Sequence, residues 1–259
     1  MVNIVIPMAG LGSRFAKAGQ ARPKPLIEVL PGQPMLTFVT RYLSLGEPHR
    51  FVFVCRSEHV EDFSLESVFK SLVRSFVIAT TDDVTQGPAC TALLASKFID
   101  NDQELLVAYC DDYLDERIDE VLYEWRRKKA AAGALLFSSR NPRHAYAVTS
   151  ASGRVLKVAE KERISAKAIA GFYYFREGRD FVRLAKRMVR EDRRAKGEFF
   201  VSGVYNEFIA EGKRVVSRTI PARNNYSMGV PADLERFRRL IVSKRRPARH
   251  ARSASLKTR

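Results

Sequence analysis

Four short stretches of this 259-residue chain combine residue types suited to handling phosphate. The first, PMAGLGSRFAKAGQARPKPLIEV, carries the turn Ala9-Gly10-Leu11-Gly12, then Arg14, then Lys24 held between Pro23 and Pro25. A glycine-rich turn leaving a strand lets backbone N–H groups approach phosphate oxygens, and the two cations extend that cradle. It is neither common fingerprint: a dinucleotide loop would need glycine at Phe15, and no Gly-Lys-Ser/Thr of a P-loop follows. The second stretch, DDVTQGPACTALLA, offers Gln86-Gly87, whose amide can donate to and accept from a base edge, although Gln-Gly is also a common turn. The third, CDDYLD, places Asp111 and Asp112 at the end of an apolar run. Two carboxylates there suit a hard cation such as Mg²⁺, or the capping of a following helix. The fourth is Glu160-Lys161, with Gly171 ten residues on and Gly197-Glu198 beyond; adjacent opposite charges are otherwise a common solvated surface feature.

For these groups to meet, the elements between them must bring strand ends to one edge. Short β-branched runs alternate with amphipathic segments through the first half, the pattern of βαβ units on a mostly parallel sheet. Strands are expected over VNIVIP, FVFVC, residues 75–79 and ELLVAY, with helices over 35–45, 60–73, 88–98 and 114–132. After Gly133 the strand candidates ALLFSS, AYAVTS, RVLKVAE and IAGFYYF are separated by Asn-Pro and Ser-Gly turns, which predicts a mixed region. Helices near 180–193, 201–211 and 231–242 and a strand over 214–219 complete the expected three-layer α/β/α fold.

Composition bounds the partners. Hydrophobic residues make up 46% of the chain, enough for a real core, and 45 Lys+Arg against 29 Asp+Glu give a net charge of +16. That surplus raises nucleic acid, an anionic membrane or a phosphorylated small molecule as partners. No apolar run reaches the ~18 residues of a membrane span, so a cytoplasmic chain is expected. The three cysteines Cys55, Cys90 and Cys110 are too scattered for a disulfide or zinc framework and read as buried small hydrophobes. The four histidines lie apart from the motifs. Residues 1–243 read as a single domain and 244–259 as a disordered tail whose seven basic residues carry +7 of the surplus.

Taken in order, the motifs resemble the sugar-phosphate nucleotidylyltransferases, with Gly10, Gly12, Arg14 and Lys24 falling on their G-x-G-x-R and Lys-Pro pattern. The resemblance covers most of residues 1–242. It implies a GT-A-like nucleotide-diphospho-sugar transferase fold in which NMP passes from an NTP to a phosphorylated acceptor, with release of pyrophosphate. It assigns Ala9, Gly10, Leu11, Gly12, Gln86 and Gly87 to the nucleotide, and Arg14, Lys24 and Asp111 to catalysis. Glu160, Lys161, Gly171 and Glu198 fall to the acceptor, and Asp111 to Mg²⁺, with Asp112 as the substitute for a second metal carboxylate. Two positions depart from the pattern: Pro88 replaces threonine after Gln-Gly, and Ser227 in NNYSMGVPADLERF stands where a second metal-binding aspartate is usual. The acceptor expected is a sugar 1-phosphate, with phosphocholine or another non-sugar phosphate as alternative. A nucleic-acid-binding module remains the reading from another class, but a metal carboxylate beside a phosphate loop argues against it.

Overall fold

The computed structural model describes residues 1–245. Strand β1 (Val2–Pro7) leads into a short helix α1 (Ser13–Ala16), a hairpin of β2 (Glu28–Leu30) and β3 (Gln33–Pro34), helix α2 (Met35–Tyr42) and strand β4 (His49–Arg56). Helices α3 (Ser57–Asp62) and α4 (Leu65–Leu72) precede β5 (Phe76–Thr81), and α5 (Pro88–Leu93) and α6 (Ser96–Ile99) precede β6 (Glu104–Ala108). Then come β7 (Asp112–Leu114), α7 (Ile118–Arg127), β8 (Ala132–Ser138), β9 (Ala145–Thr149), β10 (Val155–Glu160) and β11 (Lys167–Phe175). The chain closes with α8 (Gly178–Arg190), α9 (Val201–Ala210), β12 (Val215–Thr219), β13 (Asn225–Ser227) and α10 (Pro231–Arg245).

Nine strands share one sheet, ordered β10-β9-β11-β6-β1-β4-β5, with β8 against β11 and β12 against β8. The β6-β1-β4-β5 half is parallel, whereas β11 runs antiparallel to β6, β8 and β9. This is the mostly parallel, mixed three-layer α/β fold expected. Alternation in the strands decides the layers. Ile4, Ile6, Phe51, Phe53 and Leu106 pack under α2, α4, α7 and α10 on one face, and Val5, Val52, Val54, Leu105 and Val107 under α5, α6, α8 and α9 on the other.

Several boundaries differ from the sequence expectation, four of them with a clear structural cause or consequence. The segment 60–73 breaks at Ser64, whose left-handed backbone (φ 47°) ends one helix and starts the next. The segment 88–98 is two short helices, separated at Leu94-Ala95. The helix expected from Leu114 to Ala132 spans only Ile118–Arg127, because residues 112–114 pair with Asn225–Ser227 as a two-stranded ribbon and Lys129 (φ 49°) terminates it. The ribbon was not foreseen, since neither three-residue strand has an apolar run to announce it. At the far end α10 continues through Arg245, and the remaining basic residues of the expected tail lie outside the described residues. Cys55 and Cys110 are buried as expected, whereas Cys90 is only half-buried. Among the described residues, no helix is long and apolar enough to cross a membrane.

Candidate active site

Parallel pairing of β1 with β6 puts the loop after Pro7 beside the chain leaving Ala108, so the glycine-rich turn and Asp111 become neighbours at the carboxyl edge of the sheet. Gly12, in the left-handed region at φ 60°, caps α1, and its carbonyl accepts from Phe15 and Ala16. The Lys24 stretch folds as a single 3₁₀ turn directly against it: a Cβ on Gly12 would lie 3.4 Å from that of Lys24. From there the Lys24 ammonium donates to Asp111 Oδ2, with both side chains about four-fifths buried. Burial alone would lower the Lys24 pKa, but the Asp111 carboxylate holds it above its ordinary value.

The β7–β13 ribbon fixes the second carboxylate. Ser227 lies opposite Asp112 in register, its hydroxyl bonds the Asp112 side chain, and Met228 N donates to Asp111 O at 2.6 Å. On the other side Asp112 rests against Gly171 of β11, where a Cβ would fall 1.9 Å from Asp112 Oδ2. Only glycine leaves space for that carboxylate. Burial, and then the charge of Asp111, pushes Asp112 well above the usual carboxylate range. One ammonium thus faces two mutually repelling carboxylates, and the donor set suits a hard divalent cation that completes its shell with phosphate and water. No third His, Cys, Asp or Glu joins the pair among the described residues.

Both carboxylates open on a cleft of about 860 Å³. Its walls bring together Arg14, Asp111, Asp112, Glu160, Lys161, Gly171 and Glu198, seven residues singled out in the sequence. Arg14 is exposed and has no side-chain partner among the described residues, which leaves it available to an anion. Lys161, in the left-handed region at φ 54°, pairs with Glu198 at 3.2 Å and lies 4.4 Å over the Phe200 ring. Glu160 is half-buried and accepts from Ser202 at 2.6 Å; burial raises its pKa despite that bond.

The remaining predicted residues, Ala9, Gly10, Leu11, Gly12, Lys24, Gln86 and Gly87, line no part of this cleft, and Lys24 reaches it only through its bond to Asp111. Ala9 to Gly12 lie on the loop beside Lys24. Gln86 and Gly87 dock instead on the segment before α9: Phe199 N donates to Gln86 O, and Ala89 N to Phe199 O, both at 2.9 Å. Gly87 is required there, since at φ 130° a Cβ would sit 2.6 Å from the Phe199 backbone. Leu11 is 63% exposed and Gln86 is exposed, so the protein covers neither side chain.

Sequence reasoning missed several wall residues. The Asn141-Pro142-Arg143 turn, read only as a break between strands, lines the cleft and joins α10 through Arg143 to Asp233 at 3.2 Å. His144, set apart from the motifs in the sequence, is in the same wall, and its carbonyl accepts from Lys161 N at 3.0 Å. Strand pairing brings it there: β9 lies beside β10, so the start of one meets the end of the other. Tyr109 and Tyr173 form an apolar side, edge to face at 5.5 Å. Their only sequence signal was their place flanking Asp111 and Gly171.

The family model described as Nucleotidyl transferase matches residues 4–220. Among solved structures, the chain is similar to a nucleoside-diphosphate-sugar pyrophosphorylase from Vibrio cholerae RC9, with a TM-score of 0.78 and 25% identity over 91% of this chain and 99% of that one. It also shares the fold of a UDP-glucose pyrophosphorylase complexed with UDP-glucose, with a TM-score of 0.77 and 14% identity over 95% of this chain and 100% of that one. No curated protein sequence matches significantly.

Proposed function

Because this chain belongs to the nucleotidyl transferase family, we propose that it transfers NMP from an NTP to a sugar 1-phosphate, releasing pyrophosphate and forming an NDP-sugar. The observation that carries this reading is the ion pair of Lys24 and Asp111 beside the glycine-rich loop, with Asp111 facing a cleft that Arg14, Glu160 and Lys161 also line. The name of the Vibrio cholerae neighbour supports a sugar phosphate as acceptor.

The nucleophile is a phosphate monoester whose second pKa is ~6, so it is already anionic near neutrality and needs no general base. Catalysis then consists of holding two polyanions in line and neutralising charge on the α-phosphate. Arg14, free and exposed, holds the β- and γ-phosphates and the leaving pyrophosphate. Lys24 donates to the α-phosphate as charge gathers there, and Asp111 keeps the ammonium aimed and charged. Glu160 accepts from hydroxyls of the acceptor, and Lys161 exchanges Glu198 for its phosphate. Leu11 and Gln86 bind the base. Asp111 and Asp112 would hold Mg²⁺, which when bound supplies charge neutralisation at the triphosphate.

The test is a matrix of the four NTPs against sugar 1-phosphates and phosphocholine with Mg²⁺, read as pyrophosphate release. Turnover with one or more sugar 1-phosphates is expected. Turnover with phosphocholine alone replaces the sugar, and silence throughout defeats the reading.

A further inference from the structure

Helix α9 grips strand β10 along one face. The Asn206 side chain closes a two-way bond on Val158, with Val158 N donating to Oδ1 at 2.9 Å and Nδ2 donating to Val158 O at 2.8 Å. One helical turn earlier, and so on the same face, Ser202 donates to Glu160 Oε2 at 2.6 Å. The two residues on the helix thus match two same-facing residues on the strand, Val158 and Glu160. Ser202 is fully buried, so water does not compete for its hydroxyl. The nearest cation in sequence does not take its place, because Lys161 turns to Glu198 and the Phe200 ring. A long carboxylate side chain at a cleft wall would otherwise lose rotamer entropy on meeting a ligand.

We propose that Ser202 is a positioning residue for the acceptor: it holds one oxygen of Glu160 so that the other is presented to the cleft as a hydrogen-bond acceptor. This rests on the reading of Glu160 as a ligand of the acceptor. It also sets the chemistry recognised there, since an ionised carboxylate held by one oxygen takes hydroxyl or amine donors and repels anions. Hydroxyl donors of the acceptor are therefore what the Glu160 carboxylate meets, and Ser202 acts on that contact without touching substrate.

A double-mutant cycle on the full chain tests it, with pyrophosphate release as readout and KM for acceptor and NTP measured separately. Ser202→Ala should raise the acceptor KM about tenfold, the scale of a hydrogen bond to a charged group. The NTP KM should stay within about twofold, and kcat should fall less than the acceptor KM rises. Glu160→Gln should raise the acceptor KM at least as far, and adding Ser202→Ala to it should change little more. Ser202→Thr, which keeps the hydroxyl, should restore the acceptor KM towards wild type. Multiplication of the two single effects, or an equal rise in NTP KM, overturns the proposal. Should the Ser202 variants fail to fold, Glu160→Asp withdraws the carboxylate from an intact Ser202; an unchanged acceptor KM then overturns it. Wild-type turnover with a multiplicative cycle defeats only the positioning role, whereas wild-type silence with every acceptor defeats the proposed function and this inference with it.

Discussion

Ser227 stands opposite Asp112 in the two-stranded ribbon and bonds its side chain, at the position where the resemblance leads one to expect an aspartate. Under the proposed function, the carboxylate absent at 227 is supplied by Asp112 on the facing strand. Asp111 is shared between this ribbon and Lys24, its main-chain carbonyl accepting from Met228 N and its carboxylate from the Lys24 ammonium, so one residue ties the ribbon to the Lys24 turn.

This exchange predicts how a third carboxylate would behave. Ser227→Asp sets a new charge against Asp111 and Asp112, and in EDTA the variant should be destabilised by about 1 kcal/mol or more, roughly 2–4 °C in Tm. Millimolar Mg²⁺ should recover more stability in the variant than in wild type. Thermal melts with and without the cation check this, and equal Mg²⁺ responses would contradict it.

Lys24→Ala removes the cation proposed for the α-phosphate and leaves Asp111 without its partner. A loss of about 3 kcal/mol in transition-state stabilisation, two or more decades in kcat/KM, is expected from deleting one preorganised donor. Turnover near wild type would show that Lys24 only shapes the loop.

Gly171→Ala puts a methyl group 1.9 Å from the present position of Asp112 Oδ2. The strand is buried from Ala168 to Phe175, so the carboxylate must move, at a cost of about 1–3 kcal/mol for overpacking. Activity should fall at least tenfold, with the circular dichroism spectrum retained. An active, equally stable variant would mean that Asp112 has freedom the packing denies it.

A stability effect is expected far from the cleft. Burial would raise the Glu104 pKa, but bonds from Arg126 and from the Tyr174 hydroxyl lower it below the ordinary carboxylate value. A depressed folded-state pKa contributes stability that is present above the unfolded value and lost as pH falls through the folded one. Glu104→Gln should therefore cost about 1–2 kcal/mol at pH 7, and the gap should close under acid. Denaturant titrations at pH 7 and pH 3 measure it; a gap independent of pH would assign the effect to packing.

Much of this protein is written locally. The near-continuous apolar runs VNIVIP and FVFVC require sheet strands buried on both faces, and the parallel βαβ order follows from the segments between them. The glycine spacing, Arg14, Lys24 and the Asp111-Asp112 pair, on which the proposed phosphate chemistry rests, are legible in the sequence because that reading depends on residue type and short spacing. Tertiary structure alone decided what depends on register between distant segments. It set Ser227 against Asp112, Gly171 beneath that carboxylate, His144 and Arg143 in the cleft wall, and Ser202 under Glu160. None of these pairs has a sequence period to reveal it. Each arises where two strand ends, or a strand and a helix, are brought within a few ångströms by burial of apolar faces elsewhere.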